Sequence, residues 1–137
     1  MAEKLKLEMV TPYKKVLSAD VDEITAPGFV GELGLLPGHT PLLTTMRVGE
    51  LTYRQDGQLH HVAVNWGYLE VADDTVTVLV DTAEKADEID LERAKAALGR
   101  AEDALKTLSQ EDKKFAVMQA ALERAMIRIQ VAGRKSR

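Results

Sequence analysis

The sequence predicts an α+β fold: an N-terminal antiparallel β-sandwich of about ten short strands, then a C-terminal antiparallel two-helix hairpin. The expected boundary puts the sandwich at residues 1–83 and the hairpin at 84–137. Three observations predict this. Before residue 84, short runs alternate apolar and polar side chains between turn residues, the pattern of half-buried strands. After it, apolar residues recur at steps of three and four, the spacing of a helix face. Between them, residues 83–94 contain no Gly or Pro and are dense in carboxylates, and they read as a hinge.

The 137 residues suit one domain or two small lobes. Hydrophobic residues reach 45% but aromatics only 4%, so the core must be built from Val, Leu, Ile and Ala. The absence of cysteine excludes disulfides and thiolate metal sites. His39, His60 and His61 offer no metal-ligand spacing. No apolar run is long enough to span a bilayer, and the N-terminus does not read as a signal peptide. The expectation is a protein made in a reducing cytoplasm that meets a membrane only through a partner. Net charge is −4, unevenly spread. Residues 1–83 hold 6 basic and 12 acidic side chains, residues 84–112 hold 5 and 9, and residues 113–137 hold 7 and 1. The basic tail suits either the acidic arm before it or an acidic partner surface.

Leu5, Leu7 and Met9 alternate with Lys6 and Glu8 and predict the first strand. Residues 21–24 predict a short strand closed by Ala26-Pro27-Gly28. Pro37-Gly38 predicts a tight turn, because proline presets φ and glycine accepts φ > 0. Pro41 cannot donate to a ladder, which predicts an edge or corner. Residues 51–54 and 60–64 flank Asp56-Gly57, a hairpin signal. Residues 67–71 and 75–80 flank Asp73-Asp74 and predict a second hairpin. Trp66 is expected in the core or on a sheet face.

Familiar catalytic patterns are missing from this half. Gly28, Gly31, Gly34 and Gly38 do not form Gly-x-Gly-x-x-Gly, and no Walker lysine follows. Ser18, Asp20 and His39 have no spacing that defines a triad.

Ala94, Ala97, Leu98, Ala101, Leu105 and Leu108 predict the buried face of the first helix. Phe115, Met118, Leu122, Ala125 and Ile129 predict a coiled-coil-like seam on the second. Between them, residues 109–112 are polar and suited to capping. An alanine methyl buries far less area than a leucine side chain, so at about 25 cal/mol per Å² the seam is lightly held. At about 100° per residue, Arg93 and Arg100 share one face, and Arg124 and Arg128 are i, i+4 neighbours. Each pair flanks its apolar stripe. Folded antiparallel, the pairs converge near Glu84 and Asp90. Four guanidinium forks suit a polyphosphate. The same spacing also suits solvated salt bridges such as Asp90–Arg93, each worth about 0–1 kcal/mol.

Two motifs carry a family resemblance. Gly31-Glu32-Leu33-Gly34-Leu35-Leu36-Pro37-Gly38-His39-Thr40-Pro41-Leu42, with Gly67-Tyr68-Leu69-Glu70-Val71, resembles the sandwich of the epsilon subunit of bacterial F-type ATP synthase. Ile89-Asp90-Leu91-Glu92-Arg93-Ala94 is similar to that family's nucleotide motif. The resemblance spans essentially the whole chain. It implies a non-catalytic subunit of the central stalk (the rotor), in a complex that couples proton transport to ATP synthesis. Its partners would be the gamma subunit, the c-ring of Fo and the alpha/beta hexamer of F1, with no nucleic acid. It would lie peripherally on the cytoplasmic face of the membrane.

In the family the helices switch between a folded hairpin and an extended form that inhibits ATP hydrolysis. No cofactor is required, and ATP is a regulatory ligand in some members, favouring the folded form. The positions matching that ATP site are Glu84, Ile89, Asp90, Arg93, Ala94, Arg100, Arg124 and Arg128. Glu32 and His39 fall in the region facing the rotor ring and gamma. The alternative reading is a purely structural stalk adaptor whose hairpin neither extends nor binds ATP.

Overall fold

The computed structural model describes residues 3–134. The chain forms two compact units that divide between Lys85 and Ala86.

The first unit is a β-sandwich of ten strands. One sheet contains β1 (Leu5–Val10), β2 (Lys15–Val21), β5 (Leu42–Met46), β8 (Gly67–Ala72) and β9 (Thr75–Val80), in the order β2-β1-β9-β8-β5. The other contains β3 (Glu23–Pro27), β4 (Glu32–Leu35), β6 (Gly49–Gln55), β7 (Gln58–Val64) and β10 (Ala83–Lys85), in the order β10-β7-β6-β3-β4.

Alternation decides which face each strand buries, because successive side chains point to opposite sides of the sheet. Leu5, Leu7 and Met9 are fully buried. Val76, Val78 and Val80 do the same on β9, and they meet Leu51, Tyr53, Val62 and Val64 of the other sheet in one core. Tyr53 stacks on His60, with ring centroids 4.9 Å apart, and burial pushes its phenol pKa up.

The turns follow the residue chemistry. Asp56-Gly57 closes β6–β7 with positive φ at both positions, 51° and 79°, the two-residue turn whose twist matches the flanking strands. Pro37-Gly38 makes the expected turn, with His39 N–H donating to the Leu36 carbonyl and Gly38 at φ 87°. Pro41 stands just before β5, an edge strand.

Four details differ from the sequence expectation. Residues 21–24 are not one strand: Val21 ends β2, Glu23 begins β3, and Asp22 between them donates its N–H to the Arg54 carbonyl. The β1–β9 pair is parallel within otherwise antiparallel sheets. Trp66 is exposed in the connection between β7 and β8. The sandwich runs past residue 83, because Ala83, Glu84 and Lys85 pair with Val64, Ala63 and Val62 as an added edge strand.

The second unit opens with a 3-10 turn, Ala86–Glu88, then α1 (Leu91–Thr107) and α2 (Lys113–Ala132). Asp90 caps α1 and Asp112 caps α2, each carboxylate accepting a first-turn backbone N–H. The helices pack on each other across the short connection 108–112. Ala94, Ala101 and Ala125 are almost fully buried, while the larger seam residues Leu98, Leu105, Phe115, Met118, Leu122 and Ile129 are half-buried. Leu108 lies just beyond the end of α1 as its C-cap. Of the seven basic tail residues, Lys135 and Arg137 lie outside the described residues.

Candidate functional site

The hairpin gathers most of the candidate ligand residues at the start of α1 and along α2. Ile89 is buried, and its N–H closes the 3-10 turn on the Ala86 carbonyl at 3.4 Å. Asp90 holds extended backbone, φ −83° and ψ 103°, and its Oδ1 accepts the Arg93 N–H at 3.2 Å. Ala94 is fully buried, so the helix turns its small residue inward while Arg93 stays exposed beside it. Arg100 lies further along α1, roughly 10 Å at 1.5 Å per residue, and is also exposed.

Arg124 and Arg128 sit half-buried on α2, which packs on α1 and also touches the 3-10 turn. Arg128 already has a polar partner. By contrast, Arg93, Arg100 and Arg124 make no ion pair among the described residues. The Asp90–Arg93 salt bridge allowed by spacing is not formed; the Asp90 carboxylate turns to the backbone of α1 instead. Glu84 is the one candidate outside this unit. It lies at the middle of β10, opposite Ala63.

The second candidate region belongs to the sandwich. Glu32 begins β4 opposite Pro27 and is exposed. His39 follows the Pro37-Gly38 turn, and its Nδ1 lies 2.7 Å from the Thr40 carbonyl oxygen. A carbonyl can only accept, so Nδ1 is the donor in this contact and the Nε2 edge of the ring is left for another partner. Gly38 N–H donates to Asp74 Oδ1 at 2.7 Å, which ties this loop to the β8–β9 turn. That contact was missed from sequence, since its partners are 36 residues apart.

Other polar groups of the sandwich form surface pairs. Glu8 accepts from the Ser18 hydroxyl at 2.9 Å and pairs with Lys15 and Lys6 at 3.1 and 3.4 Å. The Ser18 hydrogen bond, followed by Lys15, holds its carboxyl below the usual range. Lys4 pairs with Asp22, which raises the Lys4 pKa. Ser18 and His39 are thus each engaged separately, and no triad with Asp20 is assembled. Among the described residues no group of His, Asp and Glu is arranged to hold a metal ion. No described helix is long and apolar enough to cross a membrane.

A sandwich that ends in an added edge strand, followed by a separately compact, alanine-seamed hairpin bearing unpaired arginines, defines a two-part protein without a reaction centre of familiar pattern among the described residues. The family model for the ATP synthase Delta/Epsilon chain beta-sandwich domain matches residues 4–86. The model for the ATP synthase Delta/Epsilon chain long alpha-helix domain matches residues 87–133. The ATP synthase epsilon chain of Citrifermentans bemidjiense is 71% identical over 137 residues, covering 100% of this chain and 99% of that protein. The ATP synthase epsilon chain of Geobacter sulfurreducens is 69% identical with the same coverage. Among solved structures, a chain of the Euglena gracilis mitochondrial ATP synthase, from its OSCP/F1/c-ring assembly, superposes with a TM-score of 0.78. It is 24% identical, with 94% of this chain and 81% of that one covered.

The chain belongs to the epsilon-chain family of F-type ATP synthase. Its role is therefore that of a non-catalytic subunit.

Proposed function

We propose that the chain couples and regulates the rotor of a proton-translocating ATP synthase from the cytoplasmic face of the membrane. The sandwich engages the gamma subunit and the c-ring, with Glu32 and His39 in the contact region. The hairpin exchanges between a folded form and an extended form that reaches the alpha/beta hexamer and inhibits ATP hydrolysis. ATP binds the folded form through Asp90, Arg93, Arg100, Arg124 and Arg128, with Ile89 and Ala94 shaping the start of α1; Glu84, the remaining matching position, belongs to β10 of the sandwich.

The observation that carries the regulatory reading is the set of guanidinium groups of Arg93, Arg100 and Arg124, which no carboxylate of the described chain neutralises. Such groups offer planar donor pairs to phosphate oxygens at little cost in broken native contacts. The Glu92–Lys95 and Asp103–Lys106 pairs on α1 use lysines and leave the arginines available. A ligand that binds only the folded form shifts the population by its differential affinity. At 100 times its dissociation constant ATP would add about 2.7 kcal/mol to that form.

The test is isothermal titration of the whole chain with Mg-free ATP, beside Arg93→Ala and Arg124→Ala. One-site binding lost in both variants is expected. No binding up to millimolar ATP would reduce the arginines to solvated surface charges. A disulfide engineered between α1 and α2 separates this reading from the structural adaptor. Locking the hairpin should relieve inhibition of the catalytic complex, and an unchanged hydrolysis rate would favour the adaptor.

A further inference from the structure

Two hairpins of the sandwich use the same turn with different residues. The β6–β7 turn places Asp56 and Gly57 at φ 51° and 79°. The β8–β9 turn places Asp73 and Asp74 at φ 49° and 57°. Glycine adopts positive φ freely, whereas an L-residue pays roughly 1 kcal/mol or more. The second position of the β8–β9 turn therefore carries an aspartate where glycine would be easier.

The side chain at that position does what glycine could not. Asp74 Oδ1 accepts the Gly38 N–H at 2.7 Å. The Asp74 backbone is fixed from the other side, because its carbonyl accepts the Lys6 N–H at 2.8 Å, continuing the β1–β9 pairing. The Gly38 N–H is not used within its own turn, where the closing bond runs from His39 N–H to the Leu36 carbonyl. A charged acceptor on this donor makes one of the stronger hydrogen bonds available to a loop. Asp74 is half-buried and Gly38 is exposed, so the bond ties the outlying loop to the sheet.

We infer that Asp74 is a positioning residue for the rotor-facing loop: its carboxylate locks the Pro37-Gly38 turn so that His39 presents its Nε2 edge to the c-ring. This rests on the reading of that loop given under the proposed function. Aspartate is one of the few L-residues that occupies this φ readily, and at this position its carboxylate reaches Gly38.

Asp74→Asn keeps an acceptor, Asp74→Ala removes it, and Asp74→Gly removes it while relieving the turn. In the purified chain, Gly38 amide exchange by NMR should quicken on the order of tenfold in the Ala and Gly variants and stay near wild type in Asn. Asp74→Gly should melt no lower than wild type. In membranes carrying the complete synthase, Asp74→Ala and Asp74→Gly should lower ATP-driven proton pumping relative to hydrolysis, and Asp74→Asn should restore it. Uncoupling in Asp74→Gly without lost stability is a result that a merely structural turn residue would not give. His39→Ala is the control for the underlying reading. If His39→Ala uncouples but Asp74→Ala and Asp74→Gly do not, the positioning role is overturned while the loop assignment stands. If neither His39→Ala nor the Asp74 variants affect coupling, the loop assignment falls and the inference falls with it.

Discussion

Asp90 holds two separable jobs, and substitution there isolates them. Its carboxylate caps α1 by accepting the Arg93 N–H at 3.2 Å, and as a charge it is also a candidate ligand group. Replacing a capping Asp by Ala costs about 1 kcal/mol, whereas Asn caps nearly as well as Asp. Loss of the charge in Asn adds only a few tenths through the helix dipole. About 1 kcal/mol is a factor of roughly 5 in a population, which matters for a hairpin whose buried helix residues are alanines apart from Val131. Asp90→Ala should therefore raise amide exchange at Glu92, Arg93 and Ala94 about fivefold, with the amides of β8 and β9 unchanged as an internal control. Asp90→Asn should exchange close to wild type. If Asp90→Ala left these amides unaltered, or Asp90→Asn loosened them equally, capping would not be what the carboxylate does. With stability matched in Asp90→Asn, any loss of ATP affinity reports on the charge alone.

Arg100→Ala should leave the unfolding free energy of the free chain within about 0.5 kcal/mol of wild type, since no native ion pair is broken, while weakening ATP binding in titration. Gly67→Ala should strongly destabilise the sandwich. An added Cβ would strike the Leu79 carbonyl oxygen and stand 2.8 Å from Val80 Cα, so the β8–β9 pairing must shift at a cost of about 3 kcal/mol, on the order of 10–20 °C in melting temperature. The Glu8 carboxyl is held low by Ser18 and Lys15, so its stabilisation is complete above the unfolded pKa of roughly 4 and disappears as pH falls through the lower folded value. Acid melting of Glu8→Gln should show a shallower loss in that window, and a curve parallel to wild type would contradict it.

The local elements were legible where residue type and spacing act alone. Leu5, Leu7 and Met9 could bury together only on a strand, and Asp56-Gly57 could close β6–β7 because glycine accepts the second positive φ. What the sequence hid was long-range. The parallel β1–β9 pairing joins Lys6 to Thr75 and leaves no local signature. β10 shows no alternation in Ala83-Glu84-Lys85 and exists because β7 offers a free edge to pair with. Asp22 has apolar neighbours close by on both sides, so residues 21–24 look continuous, yet its N–H is drawn to Arg54 at a corner. In the candidate site, the arginine spacing was visible. The competing Asp90–Arg93 pair could be decided only by geometry, because a carboxylate that caps and one that pairs with a side chain three residues on have the same spacing.

The two units are held by different physics, and that difference gives the regulatory reading its force. In the sandwich, strands from both sheets bury Leu, Met, Ile and Val almost completely, each worth about 1.5–3 kcal/mol against exposure. In the hairpin, the most buried side chains of the helix pair include Ala94, Ala101 and Ala125, whose methyl groups contribute about 0.8 kcal/mol apiece. A ligand term near 2.7 kcal/mol is small against the first core but comparable with several seam contacts of the second. A polyphosphate could therefore change the population of the hairpin while leaving the sandwich untouched. The unpaired arginines lie on the helices of this weaker unit, so the binding energy would enter where the conformational balance is closest.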